Sequence, residues 1–476
     1  MTDTERQSNT DDTRTGPSRR AFLALAAGGA AAVPLLTSCG SGTTTTPAAS
    51  TLTKPPAPQR GSRPNIVFVF TDQERYFRSW PSGMSLPARE RLAEEGVTFH
   101  HHYTSAVMCT SSRAVMLTGL QTPDNGMFEK NADLPYVNAM STTVPPTIGH
   151  LLRKAGYYTA YQGKWHLDAA FDREPVQHVL TDRMDAYGFS DFGLPVDSLA
   201  HDLGGYTTDS VIAAGAQSWL RNTGRPMADD GRPWALFVSL INPHDIMYFN
   251  TDKPSEQVQD TGTLLMHAAR APQQALYQQH WDSALPASLE QPMQEPGRPR
   301  AHGEFLKAWG GYTLGTIPPE SDRWQRFTDF YLNSIRSVDH QMSLLLGELD
   351  NLALRGNTIV VFTSDHGEMA GGAHGLRGKG PFAYEESIHL PMHVLHPDIN
   401  GGQHLNALTS HIDLVPSCCH WPACPPRPTS TNWPAGRCRA RTSARRCPTP
   451  ATPTCIPFGT VCCSPTAGWR RTTATR

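Results

Sequence analysis

The chain has 476 residues, with 41 basic and 43 acidic side chains and a formal net charge of −2. This near-neutral balance excludes the basic footprint of a nucleic-acid-binding protein, so we expect no nucleic acid partner. No uninterrupted apolar run reaches about 18 residues, which excludes a polytopic membrane protein. The length suits one large domain and a smaller region, given roughly 100 to 200 residues per domain.

The amino-terminal segment has the pattern of an export signal. Residues 18–23 read SRRAFL, a twin-arginine pattern, and a short, alanine-rich apolar stretch follows at 24–36. The stretch ends in LTSCG, which resembles a bacterial lipobox. We therefore predict a signal peptide over 1–38, lipid attachment at Cys39 and a Ser/Thr/Pro-rich linker over 39–63.

These features predict export by the twin-arginine route, which carries folded proteins. We expect a cell-envelope lipoprotein on the outer side of the cytoplasmic membrane, or a secreted protein. Membrane contact would occur only through the N-terminal lipid anchor. The alternative is an ordinary cleaved signal in which Cys39 is present by chance.

Strands and helices alternate over the body of the chain, residues 64–416. This alternation predicts an α/β domain with a large, mostly parallel central sheet and helices on both faces. The predicted strands are 65–70, 157–161, 234–241 and 358–363. The predicted helices are 86–96, 147–156, 209–222 and 323–354.

Two stretches of the body need separate interpretations. Residues 250–321 lack clear periodicity and are rich in Pro, Gln and His, so we interpret them as an insertion or lid. The helix at 323–354 carries an apolar face that is typical of core packing. That face consists of Phe327, Phe330, Tyr331, Ile335, Met342, Leu345 and Leu346.

The carboxyl-terminal tail, residues 417–476, differs in composition from the rest. It holds eight of the ten cysteines and nine arginines, and no acidic residue follows Asp413. In an exported protein this is compatible with a disulfide-rich module. We favour a frameshifted reading of a GC-rich gene, since a one-base displacement turns codons for CCHWPAC into codons for LLPLAGL. The nucleotide sequence tests this hypothesis.

Cys109 is the single cysteine of the body and opens the sequence CTSSRAVMLTG. It therefore has no partner for an intramolecular disulfide within the body. One interpretation is a small buried hydrophobic residue. The other is a reactive centre at a helix N-terminus, where backbone N–H groups and the helix dipole favour an anion.

Two pairs of potential metal ligands directly follow predicted strands. Asp72 and Gln73 follow the first strand, and Asp365 and His366 follow the strand at 358–363. Open α/β sheets build their sites at the carboxyl ends of strands. Oxygen donors favour a hard divalent cation, Ca²⁺ first, and the imidazole also allows Mn²⁺. Taken alone, the Asp365–His366 pair is equally compatible with a simple turn after a strand.

Six motifs in order resemble the formylglycine-dependent sulfatase family of the alkaline-phosphatase-like superfamily. The resemblance runs from Pro64 to about Pro416 and implies the same fold. The motifs are RPNIVFVFTDQ, CTSSRAVMLTG, GYYTAYQGKWHL, NPHD, NTIVVFTSDHGE and HGLRGKGPFAYEESIHLPM.

The resemblance implies that a formylglycine-generating enzyme converts Cys109 to formylglycine (3-oxoalanine). One hydroxyl of its hydrate would attack the sulfur of a sulfate ester, and the other would expel the sulfate. Arg113 would hold the geometry of this hydrate. Ser111 departs from the family, because the modification motif usually has Pro or Ala at this position.

The resemblance also assigns the metal ligands. Asp72, Gln73, Asp365 and His366 would bind the ion together with the side chain at position 109. Many relatives have a second Asp where this chain has Gln73.

Four further residues take roles from the resemblance. Lys164 and Lys379 would bind the sulfate oxygens, which suits a dianionic transition state. His166 would assist deprotonation of the hydrate, and His244 would protonate or polarise the leaving alkoxide. Each of them, taken singly, is also compatible with an ordinary solvated or buried side chain.

Two other histidine features lie outside these roles. His100, His101 and His102 resemble a metal cluster but fall outside the motifs, so we interpret them as a strand-to-loop feature. His374 opens the last of these motifs and is placed below His244 as a candidate substrate contact.

The sequence therefore predicts a hydrolase of sulfuric esters acting on a sulfated small molecule or sugar. One alternative is a phosphonate monoester or phosphodiester hydrolase of the same superfamily, whose members often have Asp–Gln and Asp–His pairs at the metal. Another is an inactive, lipid-anchored remnant, since a frameshifted tail leaves the C-terminal subdomain of the family missing or scrambled. Thermal unfolding of this chain beside a frame-restored version separates the remnant from an active enzyme.

Overall fold

The computed structural model describes residues 63–420 except 129–138, 144, 174–176, 194–201, 262–263 and 381. The predicted signal peptide, the lipid attachment site, the linker up to residue 62 and the tail from 421 onward lie outside the described residues. Within the described part of the chain, no helix has both the length and the apolar character that crossing a membrane requires.

A nine-stranded sheet forms the centre of the described part of the chain. Its strands are β1 (Asn65–Asp72), β2 (Val97–Tyr103), β3 (Tyr158–Gly163), β4 (Asp191–Gly193), β5 (Trp234–Pro243), β6 (Thr358–Ser364), β7 (His389–Leu390), β8 (Met392–Leu395) and β9 (Gln403–Ser410). The strand order is β4-β3-β5-β1-β6-β8-β2-β7, and β9 pairs with β2.

The sheet is mixed but mostly parallel. The strands β4, β3, β5, β1 and β6 run parallel to one another. The strand β8 then runs antiparallel to β6 and β2, while β9 is parallel to β2. The central strands β1, β5 and β6 are buried along their whole length, which is typical of parallel strands covered on both faces.

Twelve α-helices surround the sheet in the described part of the chain. They are α1 (Pro87–Glu95), α2 (Cys109–Thr118), α3 (Thr122–Asn125), α4 (Ile148–Lys154), α5 (Ala170–Arg173), α6 (Gln177–Ala186), α7 (Gly204–Trp219), α8 (Arg225–Asp229), α9 (Arg300–Ala308), α10 (Ser321–Asn351), α11 (Glu385–Ile388) and α12 (Leu414–His420). One group consists of α1, α7 and α10, and α7 and α10 both pack on β5. A second group consists of α2, α4 and α12, of which α4 packs on β3.

The predicted elements are confirmed with shifted ends. The four predicted strands correspond to β1, β3, β5 and β6, and the four predicted helices to α1, α4, α7 and α10. The predicted apolar face of α10 is buried, as expected for core packing. The fold class predicted from the alternation is therefore correct.

The antiparallel edge and the segment 250–321 were less visible in the sequence. The run His100–His102 was expected at a strand-to-loop transition, and it lies entirely within β2, which continues to Tyr103. The segment 250–321 contains α9 and short turns and otherwise irregular chain. The first residues of the predicted tail, 417–420, continue α12, where Cys418 is fully buried.

Candidate active site

The predicted site residues converge at the carboxyl ends of four neighbouring parallel strands. Asp72 and Gln73 lie at the end of β1, and Asp365 and His366 directly follow β6. The loop after β3 carries Lys164 and His166, and the turn after β5 carries His244. Because parallel strands end at the same edge of the sheet, residues far apart in sequence meet here.

Cys109 is the first residue of α2 and is only 3% exposed. Its Sγ lies 3.1 Å from Nε2 of His366, 2.5 Å from Nζ of Lys379 and 3.6 Å from Oδ1 of Asp72. Burial and the Asp72 carboxylate oppose ionisation of the thiol. The charges of Lys379, His366 and Lys164 outweigh both, so the pKa of Cys109 lies below its ordinary value. Position 109 is therefore built to carry a negative charge.

Arg113, one turn further along α2, holds Asp72 and Asp365 together. Its Nη2 donates to Oδ2 of Asp72 and its Nε to Oδ2 of Asp365, both at 2.9 Å. Its Nη1 donates to the carbonyl of Lys164 and to Oγ of Ser239, both at 2.8 Å. The side chain is 1% exposed, so these are charge-assisted bonds at low dielectric.

The carboxylates, the thiol and an imidazole form a compact donor cluster. One ligand atom each from Asp72, Cys109, Asp365 and His366 lies within 4.8 Å of all the others. Nδ1 of His366 lies 3.0 Å from the carbonyl of Gly367. A proton on Nδ1 would satisfy this carbonyl and leave the lone pair of Nε2 directed at the cluster, the usual arrangement of a metal-binding histidine.

Gln73 completes the donor set. Its backbone N–H donates to Oδ1 of Asp365 at 3.1 Å, and its side-chain Nε2–H donates to Glu368. Its Oε1 is buried and has no hydrogen-bond partner. An unsatisfied buried amide oxygen costs about 1 to 3 kcal/mol, and a cation would satisfy it. The donor set thus fits a hard divalent ion.

Lys164 faces the same cluster from the loop after β3. Its Nζ lies 2.7 Å from Oδ2 of Asp72, and both side chains are fully buried. Asp72 is thus paired with two cations, Lys164 and Arg113. Burial opposes the ionised carboxylate, but the ammonium of Lys164, with the charges of Lys379 and Arg113, holds the pKa of Asp72 well below its usual range.

The backbone of His166 contacts the first turn of α2. Its carbonyl accepts a hydrogen bond from Oγ1 of Thr110 at 3.1 Å. The residue has a φ of 58°, a left-handed conformation that is uncommon for a residue other than glycine. Such conformations cluster at functional sites because surrounding contacts must hold them.

His244 is buried in the turn after β5. Burial, and then the nearby ammonium groups of Lys164 and Lys379, lower the pKa of His244 well below its ordinary value. The imidazole is therefore neutral near pH 7. A neutral imidazole can polarise an oxygen by donating a hydrogen bond, which favours the second of the two roles expected for it.

Two carboxylates fix the turn that carries His244. Asp209 of α7 accepts hydrogen bonds from the backbone N–H groups of Ile241 (2.6 Å) and Asn242 (2.9 Å). Asp245 accepts hydrogen bonds at 2.8 Å from the backbone N–H groups at positions 205 and 206, in the first turn of α7. The helix α7 and the end of β5 with its turn thus each supply a carboxylate that accepts backbone hydrogen bonds from the other.

His102 and His374 lie outside the donor cluster. His102 is buried and lies 3.0 Å from Oγ1 of Thr409, so it belongs to the β2–β9 pair. His374 stacks on Tyr384 at 4.0 Å between ring centroids and bonds Gln291. Its contacts are thus with Tyr384 and with Gln291 of the segment 250–321, outside the donor cluster.

Three supporting carboxylates were not found from the sequence. Glu368 lies inside the motif NTIVVFTSDHGE, two residues after His366, so its place in the sequence could have identified it. Asp209 gave no signal, because its partners lie 32 and 33 residues away. Asp245 is the last residue of the motif NPHD and directly follows His244.

Comparison with known proteins supports the assignment of the fold and the family. The sequence model of the sulfatase family matches residues 64–421. The chain is 28% identical over 377 residues to a choline-sulfatase of Rhizobium meliloti (strain 1021), covering 75% of this chain and 67% of that protein. It is also 28% identical over 401 residues to an N-acetylglucosamine-6-O-sulfatase of Bacteroides thetaiotaomicron, covering 76% and 68%. The matches thus span about two thirds of these relatives' lengths.

Solved structures share the fold at lower sequence identity. A phosphonate monoester hydrolase from Silicibacter pomeroyi aligns with a TM-score of 0.53 and 21% identity, over 76% of this chain and 73% of that chain. A 2-O GAG sulfatase aligns with a TM-score of 0.54 and 18% identity, over 77% and 72%. With the family match over three quarters of its length, the chain belongs to the sulfatase family, whose members hydrolyse sulfate esters.

Proposed function

We propose that this chain is a formylglycine-dependent sulfatase that works with a divalent metal ion, Ca²⁺ in the first place and Mn²⁺ in the second. The observation that carries the proposal is the contact of Cys109 with Lys379 and His366, within the donor cluster that also includes Asp72 and Asp365. A nucleophile, a cation and metal-binding carboxylates thus meet at one buried point.

Asp72, Gln73, Asp365 and His366 would hold the ion. When bound, a divalent ion withdraws electron density from substrate oxygens and stabilises negative charge on the nucleophile. Arg113 keeps the two carboxylates in place before any ion binds, because it donates to both of them. The site is therefore organised in advance.

In the unconverted chain, the thiol of Cys109 occupies the position that the hydroxyl groups of formylglycine hydrate would take. Formylglycine supplies a hydroxyl nucleophile that a thiol cannot replace. The low pKa of Cys109 supports this role, because the same cations would favour an oxyanion at that position. Formylglycine-generating enzyme would be a partner during maturation.

Lys379 and Lys164 would bind the non-bridging oxygens of the sulfate group. Both are buried, so their charges are weakly screened and act strongly on a dianionic transition state. His244 would donate a hydrogen bond to the leaving oxygen, and His166 would take a proton from the group at position 109. The carboxylates at 209 and 245 would keep His244 in place.

The first test is peptide mass spectrometry across Cys109, followed by a Cys109→Ala variant. We expect the mass loss that marks conversion of a thiol to an aldehyde. Cys109→Ala should lower kcat/KM by about 10⁴-fold or more while its circular dichroism stays unchanged. Full activity in Cys109→Ala would show that the nucleophile is misassigned.

A phosphonate monoester or phosphodiester hydrolase is the second candidate. The Asp72–Gln73 and Asp365–His366 pairs favour it, since such pairs are frequent in that branch of the superfamily. The same preparation should be assayed with an aryl sulfate and with an aryl phosphonate monoester. A higher kcat/KM for the sulfate supports the sulfatase, and a higher value for the phosphonate supports the alternative.

The relatives' names suggest the range of substrates to test. One is named for choline sulfate and another for N-acetylglucosamine 6-sulfate, so a sulfated small molecule or sugar is the proposed substrate class. We further propose export by the twin-arginine route and anchoring through lipid at Cys39. Metabolic labelling with a fatty acid, compared with a Cys39→Ala variant, tests the anchor.

A further inference from the structure

The imidazole of His389 lies between two tyrosine rings. Its centroid is 4.2 Å from that of the Tyr76 ring and 4.6 Å from that of the Tyr103 ring, and the planes are inclined by 11° and 19°. Tyr76 lies in the turn after β1, three residues beyond Gln73. Tyr103 is the last residue of β2, six residues before Cys109. The histidine therefore packs between two elements that lead to site residues.

Both ring nitrogens of His389 face groups that only accept hydrogen bonds. Nε2 lies 2.8 Å from the carbonyl oxygen of His100, and Nδ1 lies 2.9 Å from Oε2 of Glu385. A neutral imidazole has a single N–H and can donate at only one of these positions. The imidazolium form donates at both, so these two contacts select the charged ring.

The tyrosine rings also favour the charged form. A cation over a tyrosine ring is attracted by the negative face of that ring, and His389 has such a ring on each side. The hydroxyl of Tyr103 donates to Oε2 of Glu385 at 3.3 Å, which fixes one ring. The hydroxyl of Tyr76 lies 3.1 Å from Nδ1 of His100, which fixes the other. His389 is 12% exposed, so water screens these attractions only in part.

Three imidazoles of β2 face His389, and a charge on any of them would oppose a proton on its ring. Burial first, and neighbouring imidazoles second, lower the pKa of His100 and of His102, so both stay neutral near pH 7. The exposed ring of His101 has its centroid 6.0 Å away, where water weakens its effect. The carboxylate of Glu385, in direct contact with the ring, thus acts without strong opposition.

The segment 385–390, which carries His389, supports the site through its backbone carbonyls. Four backbone N–H groups from three surrounding elements donate to these carbonyls at 2.8 to 2.9 Å. Two of the donors directly follow His366, one lies in the turn after β1, and one directly follows β2. They are Gly367, Glu368, Tyr76 and Thr104. The segment thus ties together the three stretches of backbone that carry Gln73, His366 and Cys109.

We propose that His389, in its doubly protonated form, is a positioning residue that clamps the segment 385–390 between the turn after β1 and the end of β2. When the ring gives up a proton to solvent, one of its two hydrogen bonds is lost and the clamp loosens. The site is therefore held more firmly in acid than in alkali. The effect on turnover rests on the proposed sulfatase function, whereas the clamp is a property of the unconverted chain.

Two substitutions of His389 represent the two states of its ring. His389→Arg keeps a planar charged group that stacks on aromatic rings and donates hydrogen bonds at every pH, so it represents the charged state. His389→Gln has an N–H donor but no charge, so it represents the neutral state. His340→Arg makes the first change at an exposed histidine of α10 and is the matched control. Glu385→Gln retains an oxygen that accepts from Nδ1–H and should leave the clamp in place.

Hydrogen exchange measures the clamp in the full, unconverted chain without metal. Exchange at the N–H groups of Gly367 and Glu368, followed by mass spectrometry, should be compared at about pH 5 and about pH 8.5, on either side of the range in which histidines titrate. Comparing all proteins at the same pH cancels the intrinsic pH dependence of exchange. We expect the wild type to match His389→Arg at the lower pH. At the higher pH it should exchange about tenfold faster than His389→Arg and match His389→Gln. His340→Arg should follow the wild type throughout.

Turnover of an aryl sulfate by the converted, metal-loaded enzyme gives the second readout. The ratio of kcat in His389→Arg to kcat in the wild type should rise about fivefold between the two pH values, while KM stays the same. If no sulfate is hydrolysed but exchange follows the expected pattern, the proposed function fails and the clamp stands.

The exchange data alone can overturn the inference. A wild type that matches His389→Arg at both pH values, or His389→Gln at both, would do so whether or not a sulfate ester is hydrolysed. If His389→Arg does not fold, the difference between the wild type and His389→Gln decides the question. That difference should be present at the lower pH and vanish at the higher one, and any other pattern contradicts the clamp.

Discussion

Gln73 donates its side-chain Nε2–H to Glu368 and thereby leaves its carbonyl oxygen directed away from that contact, buried and without a partner. Glu368 is itself fixed, because its Oε1 accepts a hydrogen bond from the backbone N–H of Gly378 at 2.7 Å. A carboxylate only accepts hydrogen bonds, so it permits a single orientation of the Gln73 amide. Glu368 is thus a positioning residue for Gln73, the fifth donor of the proposed metal site.

Glu368→Gln should therefore weaken metal binding. The amide introduced at position 368 can present N–H groups to the side chain of Gln73. The Gln73 amide can then rotate and exchange the positions of its oxygen and nitrogen. We expect the Ca²⁺ affinity to fall by about tenfold or more, as is usual when a partner of a metal ligand is lost. Calorimetric titration of the unconverted protein measures this directly. Glu385→Gln, at an exposed carboxylate that bonds Tyr103, is the control, and an affinity equal to the wild type in Glu368→Gln would refute the assignment.

Arg113→Leu should destabilise the fold strongly. The change leaves Asp72 and Asp365 buried without the cation that bridges them, and breaking a buried ion pair from one side costs about 3 to 5 kcal/mol. Urea unfolding in metal-free buffer measures the loss. Lys307→Leu removes one partner of an exposed pair with Glu304 and should change the free energy of unfolding by less than about 0.5 kcal/mol. Equal effects of the two variants would contradict the prediction.

Asp209 predicts a pH dependence of stability. Burial, partly offset by the N–H groups of Ile241 and Asn242, raises the pKa of Asp209 from its ordinary 3.8 to about 7. Between these values the folded state holds a proton that the unfolded state has lost. The contribution of Asp209 to the free energy of unfolding is therefore greatest near pH 4, falls as the pH rises to 7, and is constant above that.

Asp209→Asn provides the comparison, because an amide does not titrate in this range. The free energy of unfolding should be measured for both proteins from pH 4 to 8. We expect the difference, wild type minus variant, to decrease over that range and to level off above pH 7. A difference that is constant with pH would show that Asp209 ionises normally in the folded state.

Ser111→Ala should raise the fraction of chains converted at Cys109. The hydroxyl of Ser111 donates to the carbonyl of Met108 at 3.0 Å, a contact of about 1 kcal/mol that alanine removes without adding bulk. Alanine is one of the residues usual at this position of the modification motif. Peptide mass spectrometry after co-expression with formylglycine-generating enzyme gives the converted fraction. An unchanged or lower fraction would show that serine is fully accepted here.

The parallel half of the sheet could be predicted from sequence because its central strands are buried on both faces. Such strands are continuous apolar runs, as in residues 65–70 and 234–241. The antiparallel edge could not be predicted in this way. Three consecutive histidines interrupt the apolar pattern of β2, and Pro391 divides the partner strand into β7 and β8.

The start of α7 shows why element ends are harder to predict. The sequence pattern places the start at Asp209, but the helix begins at Gly204. Its first N–H groups are satisfied by the carboxylate of Asp245, 39 or 40 residues further along the chain. A cap supplied from such a distance leaves no local signal.

The site residues that directly follow strands could be predicted from the sequence. The residues that act on the site by positioning another side chain could not. Asp72 ends β1 and Asp365 directly follows β6, and because these parallel strands are neighbours the two carboxylates meet at the same edge of the sheet. The bridge that Arg113 makes between them, and the fixing of Gln73 by Glu368, depend on side-chain directions that only the folded chain defines.

The guanidinium of Arg113 joins the ends of two strands, β1 and β6, that are far apart in the sequence. Asp72 belongs to the first strand and Asp365 follows the sixth, so neither carboxylate can be in place until most of the sheet has assembled. Any proteolytic fragment that ends before β6 should therefore lack turnover entirely. For the same reason, loss of turnover during denaturation should coincide with cooperative melting of the whole domain and not precede it.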